Sequence, residues 1–180
     1  MIRCKKVFVE FSQNNEASID FAHVFKPGEI DLDDETAQVS GKLEIAGTAR
    51  KNEAVAEVAG RIVGKLDVTC HRCLNPLEVG LDVQFEDNFV TLDIYEKSGA
   101  EHQIGGADLD VSVYDGERID IAELAREQIL LNIPTRQLCV ENCAGLCEKC
   151  GANKNTEDCQ CRSEEIDPRW NALKELKRNT

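Results

Sequence analysis

Nine cysteines are spread unevenly over 180 residues. Six of them, Cys139, Cys143, Cys147, Cys150, Cys159 and Cys161, fall within 23 residues near the C-terminus. Two more, Cys70 and Cys73, form a separate C-x2-C pair. The packing of a core does not call for six cysteines in so short a segment. Thiolates at this density hold metal, and four of them make the tetrahedral set, at about 2.3 Å, that zinc prefers. Cys4 stands alone in a strand-like stretch and reads as a core or edge residue.

Setting Cys4 aside leaves eight cysteines, which divide into two sets of four. Cys147, Cys150, Cys159 and Cys161 are contiguous enough to close a small loop around one ion. Cys70, Cys73, Cys139 and Cys143 form the other set. That set closes a loop of more than sixty residues, which is feasible because closure entropy grows slowly with length. The expectation is two structural zinc ions. Gly151, just after the second thiolate of Cys147-x2-Cys150, permits the positive φ of a tight turn whose amides can stabilise thiolate charge. An iron–sulfur cluster accepts the same four thiolates, so spacing does not decide between them. An isolated C-x2-C also serves as a redox pair. Such pairs usually open a helix, whereas Cys70 and Cys73 stand between two strands. His71 reads as a bystander, and His23 and His102 are scattered.

The elements that must position these residues are mostly strands. Val39 to Gly47 alternate in hydropathy. A longer alternation places Ala56, Val58, Gly60, Ile62, Gly64, Leu66, Val68 and Cys70 on one face, with Arg61, Lys65, Asp67 and Thr69 opposite. A third runs from Leu77 to Phe85. Period two over such lengths predicts strands, and Gly60 and Gly64 suggest bulges or the curvature of a barrel-like sheet. Asn75-Pro76 is a turn signal, so Cys70 and Cys73 fall at the tip of a β-hairpin. Residues 91–118 are acidic and glycine-containing, and read as a solvated loop with one short strand near Leu109–Val113. A core-packing helix begins after Asp120, a good N-cap with Glu123 three residues on. Its apolar stripe is Ile121, Leu124, Ala125 and Ile129, and Pro134 ends it. A second helix, capped by Asp167 and opened by Pro168, carries Trp170 and covers the metal module. The expected fold is α+β. Residues 1–134 form an N-terminal antiparallel, curved or barrel-like β-domain, with a hairpin knuckle at 70–76 and a helix near 120–133. Residues 135–180 form a small cysteine-rich metal-binding module with a C-terminal helix.

The formal net charge is −13. Residues 136–180 hold eight Lys/Arg and eight Asp/Glu, which leaves 13 basic against 26 acidic side chains in residues 1–135. Tight autonomous binding of nucleic acid draws on phosphate neutralisation by Lys/Arg, and no basic footprint of that kind is present. No apolar run approaches the ~20 residues of a membrane span, and the N-terminus does not read as a signal peptide. The expected location is the cytoplasm, whose reducing conditions favour metal ligation over disulfides.

In combination, these motifs resemble the bacterial YceD family of large ribosomal RNA subunit accumulation proteins. The carrying residues are Cys70-His71-Arg72-Cys73-Leu74-Asn75-Pro76, Leu138-Cys139 through Cys143-Ala144-Gly145-Leu146-Cys147, Cys150-Gly151-Ala152-Asn153-Lys154-Asn155, Cys159-Gln160-Cys161 and Asp167-Pro168-Arg169. Glu148 stands where the family commonly has proline, and Lys154 where an apolar residue is common; neither is a ligand. The resemblance implies a non-enzymatic factor that promotes accumulation or processing of 23S ribosomal RNA. Some members keep the hairpin pair but lack much of the tail cluster, which makes the second set an optional reinforcement. The acidic body suits a basic ribosomal protein or an assembly factor as partner. A direct RNA-binding zinc module is the alternative, with Arg136, Lys149, Lys154 and Arg162 as its phosphate contacts. Arg72 and Trp170 are the expected binding residues. No P-loop, nucleophile motif or catalytic pair is present, and four thiolates leave a metal no open position for water.

Overall fold

The structure, a computed structural model, describes residues 6–11, 18–52, 55–99 and 111–161. Cys4, His102, Arg162, Trp170 and the helix expected after Asp167 lie outside them. The element order is β1 (Phe8–Glu10), β2 (Ser18–Phe25), β3 (Ala37–Val39), β4 (Leu43–Lys51), β5 (Val55–Thr69), β6 (Pro76–Thr91), α1 (Leu92–Gly99), β7 (Val111–Tyr114), β8 (Arg118–Asp120) and α2 (Ile121–Asn132).

The long hairpin β5–β6 is the spine. Its fifteen pairs run from Val55↔Val90 to Thr69↔Pro76. On the other edge of β5, β4 pairs with one half and β3 with the other. The two are interrupted at Gly41, whose φ of 114° no side chain adopts readily. β2 adds outside β4, and β7 adds outside β6 in parallel. The alternation read from the sequence holds: Ala56, Val58, Ile62, Leu66 and Val68 are buried on one face. That face carries the core together with Phe25, Leu43, Ile45 and the α2 stripe of Ile121, Leu124, Ala125 and Ile129. At roughly 1.5–3 kcal/mol for each large side chain fully buried, this layer is the main source of stability. Asp120 caps α2 through a 3.0 Å bond from the Ala122 N–H to its carboxylate.

Three expectations are corrected. Among the described residues the six-stranded sheet is open, because its edges β2 and β7 do not pair with each other, and a separate two-stranded sheet joins β1 to β8. The sheet is therefore neither barrel-like nor wholly antiparallel. Gly60 is no bulge. It lies in register in the row Phe21–Gly47–Gly60–Phe85, and a Cβ there would stand 2.8 Å from the Phe85 ring. The glycines give the two aromatic rings space over the sheet. Finally, residues 92–99 are a helix, not loop. Leu92 and Tyr95 point outward, about half exposed, so α1 carries no buried apolar stripe of the kind that announces a helix.

Candidate metal centre

The β5–β6 hairpin ends in a six-residue tip, Cys70–Asn75. Its turn is closed by two bonds: Cys70 N–H to the Asn75 carbonyl at 2.9 Å, and Leu74 N–H to the Cys70 carbonyl at 2.9 Å. The segment Cys147–Ala152 repeats both. Cys147 N–H donates to the Ala152 carbonyl at 2.8 Å, and Gly151 N–H to the Cys147 carbonyl at 2.8 Å. In each turn the residue after the second cysteine has positive φ: 58° for Leu74 and 75° for Gly151. Glycine takes this conformation freely, whereas leucine loses about 1–2 kcal/mol. The sequence showed the glycine but not its leucine counterpart.

The eight cysteines gather as two sets of four. Cys70, Cys73, Cys139 and Cys143 form one, and Cys147, Cys150, Cys159 and Cys161 the other; within each, all sulfurs lie within 4.8 Å of one another. Four sulfurs about 2.3 Å from a central ion stand about 3.8 Å apart. The Sγ–Sγ separations of 3.8 Å for Cys70–Cys143, 3.5 Å for Cys73–Cys139 and 3.5 Å for Cys150–Cys159 fit that spacing. A disulfide needs about 2.05 Å, and all eight are free thiols. Each set of four could thus hold a metal ion.

The first cluster is built between distant segments. Cys70, Cys73 and Cys143 are buried and pack with Leu77, Leu138 and Leu146. Leu77 also packs against the main core, so the cluster continues the sheet's interior. Backbone bonds fasten the tail to the tip: His71 N–H to the Gln137 carbonyl at 2.9 Å, and Leu146 N–H to the Arg72 carbonyl at 3.1 Å. Arg72 Nη1 donates to the Cys143 carbonyl at 2.7 Å, which directs this guanidinium inward to the tail. Gly145, at φ 73°, passes so close that a Cβ would stand 3.0 Å from the Arg72 carbonyl oxygen. The second cluster is more open, with Cys147 buried, Cys159 half-buried, and Cys150 and Cys161 exposed.

The two turns also tune their first thiol alike. The Cys73 N–H, with those of Arg72 and Cys139, lowers Cys70 to about 6 from the ordinary 9.0. The N–H groups of Cys150 and Lys149 do the same for Cys147, also to about 6. Burial opposes ionisation of Cys143, but the Gly145 N–H and the Asn155 amide outweigh it and its thiol falls below the ordinary range. Cys139 is pushed up to about 12, chiefly by the adjacent Cys73 sulfur. Thiolate, not thiol, is the form that binds metal.

Residues 58–177 match the family described as large ribosomal RNA subunit accumulation protein YceD. The chain belongs to the YceD family. Uncharacterised proteins of Mycobacterium bovis and Mycobacterium tuberculosis are 30% identical over 147 residues, which covers 82% of this chain and 61% of theirs. The chain thus spans under two thirds of the length of these relatives. A chloroplastic protein of Arabidopsis thaliana, named large ribosomal RNA subunit accumulation protein YCED homolog 1, is 38% identical over 61 residues, covering 34% of this chain and 19% of its own. No solved structure matches. Among the described residues, no helix is long and apolar enough to cross a membrane. Asn155, which bonds Cys143 Sγ, and the buried Gln137, whose carbonyl accepts the His71 N–H beside the first cluster, were not marked by sequence reasoning as part of the site. Asn155 falls in the family-like run after Gly151, which was the available signal.

Proposed function

We propose that this YceD-family chain is a non-enzymatic factor of large-subunit ribosome biogenesis that promotes accumulation or processing of 23S ribosomal RNA through a basic ribosomal or assembly protein. Family membership supports the rRNA role. The site geometry supports a structural rather than a catalytic role: eight thiols stand in two closed sets of four, and the set chemistry fits two structural zinc ions. An ion held by four sulfurs has no position left for a reacting water, so the ions shape the molecule. The first clasps the tail to the hairpin tip, and the second holds the loop that follows. Each tetrathiolate centre carries about −2, which adds to a chain of formal charge −13. A basic protein surface is attracted to such a body, and naked RNA is repelled. The proposed location is the cytoplasm, where ribosomes assemble and thiols stay reduced.

Depletion of the protein should lower the ratio of 23S to 16S ribosomal RNA and leave precursor forms behind, and a variant lacking the first cluster should fail to restore it. The purified chain should bind large-subunit proteins but not naked precursor RNA. Tight RNA binding that weakens steeply with salt would favour the direct RNA-binding reading instead. Cleavage of precursor RNA by the metal-loaded chain alone would overturn the non-enzymatic one.

A further inference from the structure

Asn155 belongs to the loop between Cys150 and Cys159, both members of the second cluster. Its side chain reaches the first. Nδ2 donates to Cys143 Sγ at 3.2 Å, and Oδ1 accepts the Ala144 N–H at 2.7 Å. Two further bonds orient it. Nδ2 also donates to Asn153 Oδ1 at 2.8 Å, and the Asn155 N–H donates to that same oxygen at 3.0 Å. Exchanging the amide O and N would break three of these side-chain contacts at once, so the network fixes the donor toward sulfur.

Cys143 is fully buried. A thiolate there has no water to replace a missing donor, and an unsatisfied buried charge is costly. The Asn155 amide therefore bears directly on how well the first cluster holds a cation. The loop that presents this amide has little to order it by burial: Ala152 and Asn153 are half-buried, and residues 154–158 are exposed. Its shape comes from the bonds of the Cys147 turn, from Lys154 N–H to the Gly145 carbonyl at 2.9 Å, from a turn in which the Thr156 and Glu157 N–H groups donate to the Asn153 carbonyl at 3.0 and 2.8 Å, from the bridge between Leu146 and Asn153, and from the cysteines at its two ends.

The geometry points to Asn155 as a positioning residue that couples the two metal centres, so that an ion in the second cluster raises the affinity of the first. This rests on the reading that each cluster takes one ion. An ion bound by Cys150 and Cys159 fixes both ends of the loop, and the amide then stands ready when the Cys143 thiolate takes its ion. Without it, the cost of ordering the loop falls on the first site. Coupling between binding sites is reciprocal, so the first ion strengthens the second by the same factor. Mutual repulsion of the two anionic centres acts the other way, but it does not depend on the amide at position 155. Removing that amide isolates the hydrogen-bond contribution.

The test is a double-mutant cycle on the full chain, titrated with cobalt(II) against a competing chelator and read by thiolate-to-metal absorption. The four proteins are the natural chain, Cys150→Ser/Cys161→Ser, Asn155→Ala, and the combination. Disabling the second cluster should weaken the first about tenfold when Asn155 is present, and by less than about twofold in the Asn155→Ala background. Asn155→Asp keeps the acceptor for Ala144 but brings an anionic oxygen to Cys143, and should weaken the first site more than Asn155→Ala does. Far-ultraviolet circular dichroism should show the same β-sheet signal in all five proteins. Equal loss in both backgrounds would overturn the coupling while leaving two sites intact. A natural chain that binds no ion, or only one, would instead remove the metal reading beneath it.

Discussion

Cys70 and Cys147 occupy the same position of the same hydrogen-bonded turn, yet their surroundings differ. Cys70 is fully buried in a cluster that continues the core through Leu77. Cys147 belongs to a cluster with two exposed members. The first joins residues 66 apart in sequence, Cys73 and Cys139; the second joins residues 9 apart, Cys150 and Cys159. The comparison separates what the local turn supplies from what the fold supplies. The turn lowers the pKa of one thiol and aims a pair of sulfurs. Burial and chain connectivity decide whether holding an ion there stabilises the whole molecule or only a loop.

The largest predicted effect breaks the buried cluster. Cys143→Ser should lose one ion and lower stability by about 4 kcal/mol or more, because loss of a structural metal belongs to the severe class of substitutions. Cys161→Ser should also lose one ion, while thermal unfolding of the sheet shifts by only about 1–2 kcal/mol, the share that a tenfold weaker first site removes. Paired melting curves with metal counts check both. Equal destabilisation by the two would erase the distinction.

Exchanging the turn residues sharpens it. Leu74→Gly relieves a left-handed leucine and should stabilise the chain by up to about 1 kcal/mol, since the leucine side chain is 62% exposed and contributes little burial. Gly151→Leu imposes the same strain on the second turn. It should weaken cobalt(II) binding there about tenfold and leave the melting of the sheet unchanged. A chelator titration and a thermal melt read the two effects.

The smallest effect concerns protons. Cys70 and Cys147, lowered to about 6, are ionised in the folded chain at neutral pH while an unfolded chain keeps the proton up to about 9.0. In the metal-free chain the stabilisation from these thiolates is complete above about pH 9 and is lost as pH falls through about 6. Metal entry at neutral pH should therefore release fewer than four protons per ion, and the number should rise as pH is lowered through about 6. Calorimetry in buffers of different ionisation enthalpy measures it. A constant release of four would show that the turns do not tune their thiols.

Much of this was legible in the sequence. Period-two hydropathy announced β5 and β6, because one face of each is buried and the other wet. Asp120 announced α2, because a capping carboxylate and an apolar stripe act within one chain segment. Cysteine spacing announced the turns for the same reason. What was not legible depends on contacts between segments. The parallel addition of β7 and the open edges are decided by pairing, which hydropathy does not encode. The helix α1 was hidden because Leu92 and Tyr95 face outward. Leu74 gave no sign of its left-handed φ, since leucine is not a residue that marks such a turn. Asn155 reads as an ordinary loop residue until the fold brings Cys143 to it.

The most direct test of the central claim is release of native metal from the intact chain into excess chelator, followed in time and by elemental count. Two zinc ions per chain should leave in two phases. Cys161→Ser should abolish the fast phase and leave a slow phase quickened by no more than about tenfold, and Cys70→Ser should abolish the slow one. A single ion, or two ions that leave together and respond alike to both substitutions, would contradict the account.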